Sequence, residues 1–121
     1  MLTKPEPLAR ERARRKRHER AVTRLVREQV ARRDGYCRVR PWSQRWYLQS
    51  CEGRSEWAHL SDHRRARTRG QAPERRHTTA GTVMLCARHH RLYDEARSFD
   101  IIQLTEHGAD GPIAVQARGT T

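Results

Sequence analysis

The chain has 121 residues, 35% of them hydrophobic, and a formal charge of +12. That length holds one domain and not two, and a mean hydropathy of −1.07 leaves a small core that calls for a staple such as a metal or an oligomer interface. No run of about 18 apolar residues could span a membrane, and no stretch pairs a continuous apolar face with aromatic anchors, as a cationic membrane binder does.

Nearly all the excess charge is arginine, whose planar fork suits phosphate, so nucleic acid is the default partner. Residues 1–20 are basic but hold no apolar run, so no secretory signal is expected. Three cysteines is an odd count; it argues against a disulfide framework and for reduced thiols in a cytosol.

From Pro7 to about Arg33 there is no glycine and no internal proline, and Ala, Arg, Glu and Leu favour helix. Val22, Leu25, Val26 and Val30 form one apolar stripe, so residues 20–33 are expected to dock on the core. The preceding "RERARRKRHER" has no stripe. It reads as a solvated helix, an arm that orders on a partner, or a solubilising tail. Asp34-Gly35 stops the helix.

Residues 36–58 read as short strands or knuckle turns around Cys37 and Cys51. Trp42, Trp46 and Tyr47 lie between them and are expected to cover the core rather than stack on bases, because the chain has one Phe. Residues 61–81 read as a long Arg-rich loop. Thr82–Leu85 reads as a strand, Ala87 to about Arg97 as a helix, and Phe99–Leu104 as a strand. Gly108–Gly111 is a turn, with Ile113–Gln116 a final strand pairing back. The organisation expected is a basic helical arm (1–33), a central domain (34–105) and a tail with room for one strand (106–121).

The chemistry concentrates in "VMLCARHHRLYD", Val83 to Asp94. Cys86-x-x-His89 has the spacing of a two-ligand zinc knuckle, and Cys37 and Cys51 can supply the other two ligands of a tetrahedral site. Four ligands from distant segments would staple a small polar core. The first pair departs from knuckle spacing, with Arg40 where C-x-x-C has its second cysteine. Three buried thiols beside a surface histidine, or a Cys37–Cys51 disulfide, are the competing readings. If His89 serves zinc, His90 is left over. His59, in "EWAHL", is its natural partner: one histidine holds a divalent metal at a phosphate and the other takes a proton from water.

At this point the chain resembles a family. "RDGYC" (Arg33–Cys37), "EWAHL" (Glu56–Leu60) and "GTVMLCARHHRLYD" (Gly81–Asp94) resemble the HNH endonucleases, above all the small zinc-containing HNH proteins of bacteriophages and prophages. The resemblance covers roughly residues 33–104. It implies an α+β chain with a small ββα-metal (His-Me finger) domain, a structural zinc and a basic N-terminal helix. It implies that His59 is the general base, that His90 binds a catalytic divalent ion such as Mg²⁺, and that Cys37, Cys51, Cys86 and His89 hold Zn²⁺. Asp94, one turn after His90, is a candidate second ligand of the catalytic ion or a surface carboxylate. The activity implied is metal-dependent hydrolysis of DNA with low sequence specificity. The partners implied are DNA and phage terminase or portal proteins, in a bacterial host's cytoplasm.

The chain departs from the family in two places. The family's central asparagine falls near Gly81, and this chain has no asparagine; Thr79, Thr82 or backbone groups would have to hold the loop instead. The metal-ligand position before the first catalytic histidine is Ala58, leaving His90 to work with Asp94, Asp62 or His63. Arg64, Arg65, Arg67, Arg69, Arg75 and Arg76 of the loop, with Arg14, Arg15, Lys16 and Arg17 of the arm, are candidate phosphate contacts; a solvated charge run is the alternative. His63 and His77 carry no assignment. A zinc-stabilised DNA-binding protein without catalysis, and an interaction factor whose arm docks on an acidic protein, are the rival functions.

Overall fold

The structure, a computed structural model, describes residues 6–61 and 69–118. A long helix comes first because nothing interrupts it: α1 runs from Glu6 to Asp34, 29 residues, with Pro7 in the first turn, where proline is tolerated. It ends at Gly35, whose φ of +72° is left-handed backbone and whose N–H donates to the Ala31 carbonyl at 2.9 Å. Glycine is the residue that adopts this cap most readily.

Two antiparallel pairs follow. β1 (Ser55–His59) pairs with β2 (Thr82–Cys86), with Trp57 opposite Met84 and His59 opposite Thr82. A one-turn helix α2 (Pro73–Arg76) lies in the long connection between them. α3 (Ala87–Asp94) follows β2 directly and packs on both strands. β3 (Phe99–Gln103) pairs with β4 (Ile113–Ala117) as a separate sheet. Every residue of β2 is buried, as expected of a strand covered on both faces. Met84 shares a face with Trp57 toward α1, whereas Val83 and Leu85 share a core with Leu48, Leu60, Tyr93, Phe99 and Val115. The protein is therefore a small α+β molecule of helices and two small antiparallel sheets.

A buried ion network fastens the end of α1. The Asp34 side chain is fully buried and accepts from Arg33 Nε at 2.7 Å, from Arg38 Nη1 at 3.1 Å and from the Met84 backbone N–H at 2.9 Å. Arg33 also donates to the carbonyls of Thr79 and Thr82, both at 2.7 Å. Arg38 reaches those of Ala109 and Gly111 at 2.7 and 2.8 Å. Three distant segments thus meet on one carboxylate and its two arginines.

Three expectations change. Leu25 is 56% exposed, while Val30 is buried and Val22 and Val26 half-buried; the docked arc runs through Glu19, Val22, Val26, Val30 and Arg33, and Leu25 falls just outside it at 3.6 residues per turn. Helix α3 stops at Asp94, three residues short of the expected end, while residues 36–54 take the turn alternative, with a 3-10 helix at Arg40–Trp42. Trp42 and Tyr47 pack on the core as expected, but Trp46 is 78% exposed. Asp62, His63, Arg64, Arg65 and Arg67 lie outside the described residues. No helix among the described residues is long and apolar enough to cross a membrane.

Candidate metal centre and the neighbouring histidines

Cys37 follows the cap of α1, Cys51 lies in the turns before β1, Cys86 ends β2, and His89 sits in the first turn of α3. Their ligand atoms all lie within 4.8 Å of one another. Cys37 Sγ is 3.3 Å and Cys51 Sγ 3.7 Å from His89 Nδ1. A tetrahedral zinc site with bonds of about 2.3 Å has ligand edges of roughly 3.8 Å, so the four donors fit such an ion. The group could hold a metal such as zinc.

The groups around the four donors support this. His89 Nε2 lies 3.1 Å from the Leu48 carbonyl and 3.0 Å from that of Gln49. Carbonyls only accept, so Nε2 carries the proton and Nδ1 turns its lone pair toward the thiols. Cys86 caps α3, its sulfur accepting from the His89 N–H at 3.3 Å. Gly53 has a φ of +89°, and a Cβ there would come 2.6 Å from that of Ala87, so the Cys51 loop closes onto α3 only with glycine at this point. Arg88 seals the same seam through the Ser50 carbonyl at 3.1 Å and an ion pair with Glu52. Burial pushes the Cys37 thiol up to about 12, against the N–H groups of Cys86 and Val39, and raises Cys51 too. A bound cation reverses that preference, because metal ligation takes the thiolate form. None of the three cysteines forms a disulfide.

His90 points elsewhere. Its Nδ1 lies 2.8 Å from Glu56 Oε1 on β1, and its Nε2 3.1 Å from Asp94 Oδ2 one turn along α3. Both carboxylates are about two-fifths exposed, 40% and 42%. Sequence reasoning missed Glu56. The signal was there: strand alternation puts Glu56 on the same face as Ala58, the position at which the HNH resemblance leads one to expect a ligand.

His59 faces the other way. Its Nε2 is 2.9 Å from Nδ1 of His77, the residue after α2, and the Trp57 ring packs on it with centroids 4.6 Å apart. His59 and His90 thus have different partners on opposite faces of β1. The end of β1 is held by Tyr93, whose hydroxyl accepts from the Ser61 N–H at 2.9 Å. Thr82 Oγ1 donates to the Thr78 carbonyl at 2.7 Å. Thr82 thus ties the end of the connection to the start of β2, and Tyr93 was not singled out from sequence.

Arg17, Arg20, Arg24 and Arg27 line a groove between α1 and Trp57. Their three- and four-residue spacing puts them on one helix face. A second groove carries Arg14, Arg15, Lys16 and Arg76 beside Glu19. The first lies next to His59 through Trp57, and three of its arginines were not singled out from sequence. Arg69 and Arg75 are exposed.

Compared with known family models, curated proteins and solved structures, the chain matches none.

Proposed function

We propose that this protein is a metal-dependent HNH endonuclease, with a ββα-metal centre formed by β1, β2 and α3, that hydrolyses DNA phosphodiester bonds with low sequence specificity. The observation that carries the reading is the divergence of two adjacent histidines. His89 turns into the Cys37, Cys51, Cys86 group, while His90 meets Glu56 of the first strand. A structural zinc site and a second, carboxylate-rich site thus share one helical turn directly after a hairpin.

His59 and His90 face opposite ways, so the substrate must bridge the end of β1; His59 then acts on the attacking water. One water proton passes to its ring, the water oxygen bonds to phosphorus, and the P–O3′ bond breaks. The electron pair leaves on the 3′ oxygen, which takes a proton from solvent. His90, Glu56 and Asp94, one imidazole with two carboxylates, form a donor set suited to a hard divalent cation. Such an ion, Mg²⁺ or a relative, supplies Lewis-acid stabilisation of the phosphate and the leaving oxygen when bound. The arginines of α1 and of the 61–77 loop hold the backbone, and no element among the described residues resembles a base-reading module. By the resemblance, the setting is phage DNA packaging beside terminase and portal, in a host cytoplasm.

One observation favours a second reading, a zinc-stabilised DNA-binding protein without catalysis. Both ring nitrogens of His90 are engaged by carboxylates, and Ala58 offers no ligand. Supercoiled plasmid incubated with the protein in Mg²⁺, Mn²⁺ or EDTA decides between them. Metal-dependent nicking lost in His59→Ala and in His90→Ala supports the nuclease. DNA retention without cleavage in every metal supports the binding protein.

A further inference from the structure

We propose that His77 is a positioning residue for His59: it fixes the tautomer of that ring and so the nitrogen that receives the proton. The proposal rests on the reading of His59 as the general base.

His77 is 9% exposed. It is held as the cap of α2 by its own N–H, which donates to the Pro73 carbonyl at 2.9 Å. Its Nδ1 faces His59 Nε2 at 2.9 Å. Its Nε2 is buried without a hydrogen-bond partner, and the nearest acid is Glu19 of α1, with Oε1 at 3.8 Å. Arg76 lies on the same carboxylate at 3.6 Å, and Trp57 packs against both imidazoles at 4.6 and 5.6 Å. Glu19, Arg76, His59 and Trp57 thus surround the ring from α1, α2 and β1.

Two proton arrangements can make the His59–His77 bond. If His77 donates from Nδ1, its Nε2 lone pair is buried facing a carboxylate, which repels it. If His59 donates from Nε2, the His77 Nε2–H points at the Glu19 carboxylate, which attracts it. The second arrangement is favoured, and it places the His59 lone pair on Nδ1. Burial and the adjacent Arg76 lower the His77 pKa, so His77 stays a neutral acceptor. When His59 takes a proton it donates from both nitrogens, and its bond to His77 becomes charge-assisted and stronger. The arrangement favours the state formed as water loses its proton.

The test is long-range nitrogen–proton NMR of isotope-labelled histidines in the zinc-loaded full chain, in wild type, His77→Phe and His77→Gln. Expected is His59 as the Nε2–H tautomer in wild type, a tautomer mixture in His77→Phe, and the wild-type tautomer restored by the amide oxygen of His77→Gln. In plasmid cleavage, His77→Phe loses about 100-fold in kcat with DNA affinity unchanged, the lower end of what general-base catalysis contributes. Unchanged His59 tautomers in His77→Phe overturn the proposal. So does an Nδ1–H tautomer in wild type, a result that stands even if His77→Phe does not fold. If the tautomers respond as expected but no variant nor wild type cleaves DNA, the nuclease reading fails while the His77–His59 geometry holds.

Discussion

Glu56 on β1 and His90 on α3 meet at 2.8 Å, although 33 residues and the whole hairpin connection separate them in sequence. The pair ties the first strand to the helix. Under the proposed function, Glu56→Gln lowers cleavage by about 10- to 100-fold, the range for a lost metal-site partner. Zinc content and thermal unfolding stay at wild-type values. A variant as active as wild type in both Mg²⁺ and Mn²⁺ would remove Glu56 from the site.

The Cys37, Cys51, Cys86, His89 group makes metal removal a test of folding. Purified protein is expected to carry one zinc per chain by elemental analysis, and a strong chelator is expected to lower its unfolding temperature sharply, because binding energy at such sites is folding energy. Cys86→Ser, which loses both a ligand and the sulfur that caps α3, shows the low temperature with or without added zinc. Metal-free wild-type protein with full stability would dismiss the staple.

Under the proposed function, the row Arg17, Arg20, Arg24, Arg27 sets a salt dependence of DNA binding. Each phosphate left without its arginine lowers the slope of log affinity against log salt by about 0.9 on duplex DNA. Arg20→Ala with Arg24→Ala and Arg27→Ala is therefore expected to flatten the slope by nearly three such steps, read by fluorescence anisotropy over a salt series. Exposed arginines of α1 away from this groove, such as Arg10 and Arg32, change it less. Equal effects from both sets would mean a diffuse charge cloud rather than a groove.

Asp34 is the stability test. Asp34→Ala leaves two arginines and the Met84 N–H facing a cavity where one carboxylate had satisfied them. Breaking a buried pair in this way costs about 3–5 kcal/mol. Denaturant unfolding at saturating zinc measures it; a loss below about 1 kcal/mol, the level of a surface ion pair, would show that solvent reaches the network.

Much of this was readable in the chain, for reasons that differ by residue. The ligand set of the candidate metal centre was legible because Cys86 and His89 stand at knuckle spacing and the chain's two other cysteines complete a set of four. α1 was legible because nothing in Pro7–Arg33 breaks a helix, and β2, β3 and β4 because short apolar runs lie between turn residues. Leu25 misled because apolar character at i+3 fits a stripe whichever way the arc drifts. Trp46 misled because a knuckle turn reverses the chain and faces one of three aromatics outward. Asp34 looked like punctuation at a helix end; its role as a buried anion depends on Arg33, Arg38 and Met84 converging, which no local pattern announces. His77 gave no signal at all, since its partners come from β1 and α1. Glu56 was within reach by strand alternation alone.

The seam between the Cys51 loop and the first turn of α3 also orders events in time. Cys37 and Cys51 leave the ribosome well before Cys86 and His89, so the early thiols stay open to oxidation and to stray metals until the second half of the hairpin arrives. The closed fold buries Cys37 and half-buries Cys51, with Arg88 and Gly53 at the seam that holds the loop. A chain that oxidises Cys37 to Cys51 during that interval cannot complete the cluster. Reducing conditions during synthesis are therefore expected to raise the yield of native protein more than the same conditions applied afterwards.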